Sequence, residues 1–129
     1  MSERDVKYYR QLSKQFEIKE KLFDEKEDYY ELEGAKASYQ QRQASDKASH
    51  SEQMIKVNKL KEEGKADKAL KLEVKVKKKE AEIAKYKQTI SNIQKKIDKK
   101  KLDVRKIEDE LEKMESQLRT DFADKFTQM

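Results

Sequence analysis

The stretch KLKEEGKADKAL, Lys59 to Leu70, contains Gly64, one of only two glycines in a chain of 129 residues that has no proline. Gly64 lies almost at the middle of the chain. A glycine closes a helix well because it adopts the left-handed conformation without a side-chain clash. Asp67 follows where a second helix needs an N-terminal cap or a first-turn acid. The stretch therefore predicts two helices joined by a turn at Gly64.

The composition of the chain favours long helices over a compact globular domain. Charged residues make up 46% of the sequence and aromatic residues only 8%. A chain this polar buries too little apolar surface for a single core of this size. Abundant Lys and Glu, with apolar residues at helical spacing, are typical of a helical rod rather than of a disordered chain. We therefore predict a single elongated all-α domain over residues 1–129, an antiparallel helical hairpin or coiled coil.

The second half of the chain carries an apolar residue at every seventh position over eight repeats. The series consists of Ala69, Val76, Ile83, Ile90, Ile97, Val104, Leu111 and Leu118. The companion series, three residues further on, is apolar or aromatic at five of eight positions, and Lys79 and Lys100 interrupt it 21 residues apart. A repeat sustained this long predicts a coiled coil. We expect helix two to run from about residue 66 to 126.

The first half has a similar but less uniform pattern. Counting in sevens gives the aromatic and small residues Tyr9, Phe16, Phe23, Tyr30, Ala37 and Ala44. Tyr8, Leu22 and Tyr29 widen this stripe on one side. The run SDKASHS, residues 45–51, weakens the pattern, and the apolar phase shifts after it. We interpret residues 45–51 as a stutter or a short break in the helix.

The start of helix one has a capping signal. Ser2 precedes Asp5 by three residues, so the serine oxygen can accept from an orphan amide and the carboxylate complements the helix dipole. We expect helix one to run from about residue 3 to 63. The second glycine, Gly34, is interpreted either as a tolerated helix-interior glycine or as a point of close approach by another helix. A helix break at Gly34 is a third alternative.

An antiparallel fold about Gly64 brings together residues whose numbers sum to about 130. This register places Phe16 beside Met114 and Phe23 beside Ile107. The predicted hairpin seam consists of Phe16, Phe23, Ile107, Met114 and Leu118.

In the same register, a row of β-branched residues on helix two faces mostly polar residues of helix one. The row consists of Ile83, Ile90, Ile97 and Val104. Either the aliphatic stems of the polar residues cover it, or the register differs, or another polypeptide does. The row is therefore predicted as the interface with a protein partner or with a second copy in a homo-oligomer.

The charge is concentrated in one block of the chain. Residues 56–106 carry 19 basic and 8 acidic side chains, a net charge of +11. The candidate contacts to an anionic surface are Lys77, Lys78, Lys95, Lys96, Lys99 and Lys101. Their scatter around the helix is also typical of a solvated rod surface. Nucleic acid is the weaker expectation for a polyanion, because arginine is scarce and no aromatics interleave with the lysines to stack bases, so lipid headgroups are preferred.

No catalytic, cofactor-binding or metal-ligating constellation is predicted. His50 is the sole histidine and lies in the serine-rich run, which is typical of an exposed spacer rather than a general base. The chain has no cysteine, and its two glycines leave no phosphate-binding loop. No run of about 18 apolar residues and no signal peptide is found. We therefore expect a non-enzymatic protein inside the cell, most simply in the cytoplasm.

Two stretches resemble parts of a known family. ELEKMESQLRTDF, residues 110–122, and DEKEDYYELEGA, residues 24–35, resemble long-helix segments of sorting-nexin-type BAR domains. The resemblance implies a dimer of long bent helices that reads membrane curvature through lysines on a concave face. A small helical hairpin about a central glycine also resembles partner proteins of bacterial type VII secretion.

The sequence thus supports a coiled-coil interaction protein that acts as a scaffold, an adaptor or a dedicated partner. The alternatives are a membrane-surface module that binds anionic lipid through residues 56–106, and a partner of a bacterial secretion system.

Overall fold

The computed structural model describes residues 2–126, and no β-strand occurs in that range. Helix α1 spans Glu3–Glu62, α2 spans Ala66–Asp121, and the four-residue α3 spans Ala123–Phe126. α1 and α2 pack against each other as a helical hairpin, so the predicted fold class is confirmed. The domain predicted over residues 1–129 includes residues 1 and 127–129, which lie outside the described part of the chain.

The turn between the long helices is built on Gly64, as predicted. Its φ is +74°. The N–H of Lys65 donates to the carbonyl of Leu60 at 2.9 Å, and the N–H of Gly64 donates to the carbonyl of Lys61 at 3.1 Å. These two bonds satisfy carbonyls at the end of α1 that would otherwise lack a partner. Asp67 lies in the first turn of α2, where its carboxylate complements the helix dipole.

The predicted cap of α1 is present. The N–H of Asp5 donates to Ser2 Oγ at 3.2 Å, and the N–H of Ser2 donates to Asp5 Oδ2, also at 3.2 Å. This reciprocal arrangement satisfies two amides at the start of the helix. It accounts for the start of α1 at Glu3.

α1 is continuous through residues 45–51, so the predicted stutter or break there is wrong. The contact face does not change phase in this segment. Asp46 and His50 are half-buried against α2, and they pair with Lys79 and Glu80. Packing against α2 thus holds a segment whose own helix propensity is weak.

α2 ends at Asp121 rather than near residue 126 as predicted. Phe122 follows and is buried, with its ring centroid 5.3 Å from that of Tyr8. Arg4 donates to the carbonyl of Asp121 at 3.2 Å. The helix therefore stops where an arginine satisfies one of its last carbonyls and Phe122 turns in to pack against Tyr8.

The apolar series of α2 forms its contact face towards α1. All eight members from Ala69 to Leu118 are buried or half-buried, and the exposed fraction of Ile97 is 0%. Ile107 and Leu118 are also buried, and Met114 is half-buried. The three predicted seam residues of α2 therefore lie on its contact face.

The contact face of α1 differs from the predicted one by a single residue. The first of its two buried or half-buried series is Tyr8, Gln15, Leu22, Tyr29, Lys36, Gln43, His50 and Val57. The second is Gln11, Ile18, Glu25, Leu32, Tyr39, Asp46, Gln53 and Leu60. The prediction is wrong at Phe16 and Phe23, which are exposed. One residue rotates a position on a helix by about 100°, so the predicted stripe points away from α2.

The chain divides by its internal contacts into two compact units. The first unit contains residues 2–31 and 97–126 of the described chain, and the second contains residues 32–96. Each unit combines part of α1 with part of α2.

Candidate protein-interaction surface

An ion pair lies within the contact face of the first unit. Lys100 Nζ lies 2.6 Å from Glu25 Oε2 and 3.4 Å from Asp28 Oδ2. The hydrogen bond to Glu25 raises the pKa of Lys100, and the charge of Glu25 adds to the effect. A lysine that interrupts the companion series of α2 is thereby matched by an acid in the contact face of α1.

The second unit contains an equivalent pair. Lys79 Nζ lies 3.4 Å from Asp46 Oδ1 and 3.5 Å from Glu82 Oε2. The negative charge of Asp46 is the main cause that raises the pKa of Lys79. Asp46 follows Glu25 by 21 residues, the same interval that separates Lys79 from Lys100. The two lysines that interrupt the companion series of α2 therefore pair with two acids in the contact face of α1, and they do so in antiparallel order.

The first unit also contains two ion pairs that join the start of α1 to α3. Arg4 Nη2 lies 2.5 Å from Asp124 Oδ1, and Lys125 Nζ lies 2.5 Å from Asp5 Oδ1. The hydrogen bond from Lys125, helped by those from Ser2, lowers the pKa of Asp5 to about 2. The hydrogen bond from Arg4 likewise lowers the pKa of Asp124.

Four aromatic residues of α1 form an exposed line that we call the aromatic row. The row consists of Tyr9, Phe16, Phe23 and Tyr30. Their exposed fractions are 53%, 57%, 69% and 68%. All four belong to the first unit and recur every seven residues. A row of large exposed apolar side chains of this kind is a candidate interaction site.

The two sides of the aromatic row carry opposite charges. Lys19 and Lys26 follow Phe16 and Phe23 by three residues, and Glu20 and Glu27 follow the same residues by four. Positions three and four residues further on flank a helical residue on its two sides. The row therefore lies between a basic side (Lys19, Lys26) and an acidic side (Glu20, Glu27). All four of these side chains are exposed.

Shallow hollows separate successive aromatic side chains of the row. One hollow is lined by Phe16 and Phe23 together with Lys19 and Glu20. The next is lined by Phe23 and Tyr30 together with Lys26 and Glu27. Aromatic knobs that alternate with hollows every two turns are complementary in shape to the side chains of another helix.

Within the first unit, Lys19 contacts both a ring of the row and an acid of α2. Its Nζ lies 5.4 Å from the centre of the Phe16 ring and 3.8 Å from Glu115 Oε1. In contrast, Lys26, Glu20 and Glu27 take part in none of the ion pairs formed by residues 2–126. Most of the charge along the row thus remains without a partner of opposite sign among the described residues.

The predicted interface residues of helix two lie on the contact face towards α1. Ile97 is fully buried, and Ile83, Ile90 and Val104 are half-buried. The prediction that these residues are left uncovered by helix one is therefore wrong, because α1 is rotated by one residue from the predicted orientation. Val104 also lines a hollow beside Tyr30, next to the aromatic row.

The candidate anionic-surface residues are all exposed. They are Lys77, Lys78, Lys95 and Lys96 of the second unit, and Lys99 and Lys101 of the first. None of them joins an ion pair in the described part of the chain. Their ammonium groups therefore face solvent, unlike those of Lys79 and Lys100.

His50 Nε2 lies 3.0 Å from Glu80 Oε1 at the surface of the second unit. No group of three or more His, Cys, Asp or Glu side chains that could hold a metal ion occurs among residues 2–126. Across the same range, each helix is too short or too polar to cross a membrane.

The apolar pattern of a single series does not distinguish the aromatic row from the contact face. The aromatic series gives way to Ala37 and Ala44 after Tyr30, whereas the series one residue earlier continues to the buried Val57. The earlier series is interrupted by polar residues such as Lys36, so it is the less apolar of the two. The sequence therefore favours the aromatic stripe as the contact face, and for this reason the exposed surface was missed.

Comparisons with known proteins give no relative for this chain. No family model matches it, and no match was found among curated proteins or solved structures. The residues of the surface are therefore the basis for any functional proposal.

Proposed function

We propose that the hairpin is a protein-interaction module, a scaffold, adaptor or dedicated partner, which binds a helix of another polypeptide chain through the aromatic row. The observation that carries this proposal is the exposure of all four aromatic side chains at seven-residue intervals. Seven-residue spacing matches the repeat of two packed helices, and it has no counterpart in a flexible peptide or a small ligand. Phe and Tyr are also enriched in protein interfaces.

The energy available at the row is sufficient for association. Full burial of a Phe side chain stabilises by about 1.5–3 kcal/mol, and each row residue still exposes half or more of its surface. The entropy lost on association opposes part of this gain. The charged sides supply orientation and specificity more than affinity, since they lie at the rim of the surface.

The proposal is tested by replacing one aromatic residue and one matched control. Phe23→Asp places a charge at the centre of the row, and Leu102→Asp places one at an exposed residue of α2. Tagged full-length chains are recovered from the cells that make the protein, and bound polypeptides are identified by mass spectrometry. We expect Phe23→Asp to lose a polypeptide, either a second copy or another protein, that Leu102→Asp retains. Identical recoveries with both variants would refute a role for the row.

A second candidate function is the binding of an anionic membrane surface. It is supported by the six exposed lysines that have no acidic partner among residues 2–126, and by the resemblance to BAR domains. Vesicles that contain phosphatidylserine should sediment with the chain at low salt and release it at high salt. Lys95→Glu with Lys96→Glu should weaken this binding, whereas Phe23→Asp should not. Equal binding to neutral vesicles would count against the candidate.

A further inference from the structure

We infer that the occupant of the aromatic row is a second copy of this chain, packed parallel and in register with the first. In this dimer each of Tyr9, Phe16, Phe23 and Tyr30 faces its own counterpart. The inference rests on the proposed function, and it specifies the partner. It concerns the first unit alone, since the row and its charged sides lie within residues 2–31.

The charges on the two sides of the row are self-complementary in a parallel pair. The two-fold axis of such a pair runs along the helices, so the basic side of one copy lies opposite the acidic side of the other at the same height. Lys26 then faces Glu27 of the second copy, and Lys19 faces Glu20 of the second copy. Because the relation is reciprocal, each pair occurs twice. One chain thus carries both halves of a matched surface.

The antiparallel alternative has the opposite electrostatic outcome. A two-fold axis across the middle of the row would bring Phe16 beside Phe23 of the second copy. It would also bring each Lys19 beside the other Lys19, and each Glu20 beside the other Glu20. Like charges at these positions oppose association. The charge pattern therefore selects the parallel arrangement.

The area of the row is appropriate for a reversible dimer. An aromatic side chain buries about 150–250 Å² when it is fully covered, and the row residues expose half to two thirds of their surface. Four such residues on each of two copies would remove about 600–1,200 Å² from water. Flanking side chains extend this towards the 1,200 Å² or so at which specific interfaces begin.

Two other occupants fit the surface less well. An anionic bilayer is repelled by Glu20 and Glu27 on the acidic side of the row. A polyanion such as nucleic acid meets the same repulsion. A different helical protein would need a basic stripe and an acidic stripe at the same spacing, and this chain already has both.

The orientation is tested with single-cysteine variants, which are clean because the chain has no cysteine of its own. Tyr9→Cys and Tyr30→Cys lie at the two ends of the row and leave both phenylalanines in place. In the parallel dimer each variant alone should form a disulfide-linked dimer under mild oxidation. In an antiparallel dimer only an equimolar mixture of the two should do so, which would overturn the inference. Leu102→Cys is the control and should stay monomeric on a denaturing gel.

The charge pairing is tested by sedimentation equilibrium on the full chain. Lys26→Glu and Glu27→Lys should each raise the dimer dissociation constant about tenfold, because either change creates like-charge contacts at two symmetric places. An equimolar mixture of the two variants should restore tight pairing. Lys101→Glu is the matched control and should leave the constant unchanged within about twofold.

The outcomes separate this inference from the proposed function. A wild-type chain that is monomeric at all concentrations, or charge variants that pair as well as the wild type, would refute the parallel dimer. If Phe23→Asp still loses a different protein in the recovery experiment, the interaction function stands and only the identity of the partner is wrong. If Phe23→Asp loses nothing, both are wrong.

Discussion

Two rows of residues on α1, one position apart in the sequence, differ in their exposure to solvent. The inner row begins Tyr8, Gln15, Leu22, Tyr29, and it is buried or half-buried against α2. The outer aromatic row begins one residue later at Tyr9, and it faces solvent. The outer row is the more apolar of the two, since the inner one includes Gln15 and, further on, Lys36 and Gln43.

The difference teaches that the hydrophobicity of one row, taken alone, does not identify the packed face of a long helix. The companion series of the inner row includes Glu25 and Asp46, which match Lys100 and Lys79 across the hairpin. If α1 were rotated by one residue to bury the aromatic row, both lysines would lose these acids and remain half-buried without them. A partly buried lysine is disfavoured when it lacks an acid beside it, so the two pairs favour the observed orientation of α1.

The largest expected effect comes from placing an aspartate at a buried position of the contact face, compared with an aspartate in the exposed aromatic row. Ile97→Asp puts a charge at a position with 0% exposure and should lower the free energy of unfolding by about 4 kcal/mol or more. Phe23→Asp should change the stability of the isolated hairpin by no more than about 0.5 kcal/mol, because its side chain is already in water. Urea denaturation of the monomeric chain, followed by circular dichroism, measures both. Equal losses would mean that the row is buried in solution.

A charge reversal across the contact face tests what orients α1. Lys100→Glu should destabilise the hairpin, because it places three carboxylates together at Glu25 and Asp28. The double variant Lys100→Glu with Glu25→Lys should recover most of the loss, while Lys101→Glu, on the exposed face, should cost little. Thermal melts of the four chains give the order. Failure of the double variant to recover would argue that the pair does not orient the helix.

The two glycines should respond to substitution with opposite signs. Gly64 has a φ of +74°, so Gly64→Val should lower the free energy of unfolding by about 1 kcal/mol or more. Gly34 lies inside α1, and an added Cβ there would meet nothing within 4 Å. Gly34→Ala should therefore raise stability by about 0.5–1 kcal/mol. Loss of stability with Gly34→Ala would indicate a helix packed closely at that point in solution.

The smallest effect concerns pH at the chain termini of the first unit. The pKa of Asp5 falls from 3.8 to about 2 because Lys125 and Ser2 donate hydrogen bonds to it. The unfolded state therefore binds the proton more tightly, and the stabilisation is complete above about pH 4 and lost as pH falls through about 2. The protection of amides at the start of α1 against exchange, corrected for the intrinsic rate at each pH, should fall over this range in the wild type. The Asp5→Asn variant should exchange faster at neutral pH and change less on acidification, and a wild-type-like profile would contradict the pairing.

Much of the fold was predictable because its determinants are local. Gly64 and Asp67 mark the turn, Ser2 and Asp5 cap α1, and no proline interrupts either helix. These features act through backbone conformation and hydrogen bonds to the nearest few residues. The contact face of α2 was equally predictable, since its eight apolar residues at seven-residue spacing form one dominant stripe.

The candidate surface was not predictable in the same way. α1 carries two alternative stripes, and the sequence alone favours the aromatic one. The reason is that the apolar character of a stripe takes no account of the residues of α2 that lie opposite it. The predicted partner row of α2, which includes Ile90 and Ile97, followed from that choice and is covered by α1 instead.

The sequence by itself thus determined two long helices, the position of the turn between them and the inward face of α2. Only the tertiary structure decided which face of α1 is buried and which is exposed to solvent. The physical reason is that this choice depends on pairs far apart in the chain, Glu25 with Lys100 and Asp46 with Lys79. Their energy exists only once the helices meet, so the apolar character of a single stripe of α1 does not reveal it.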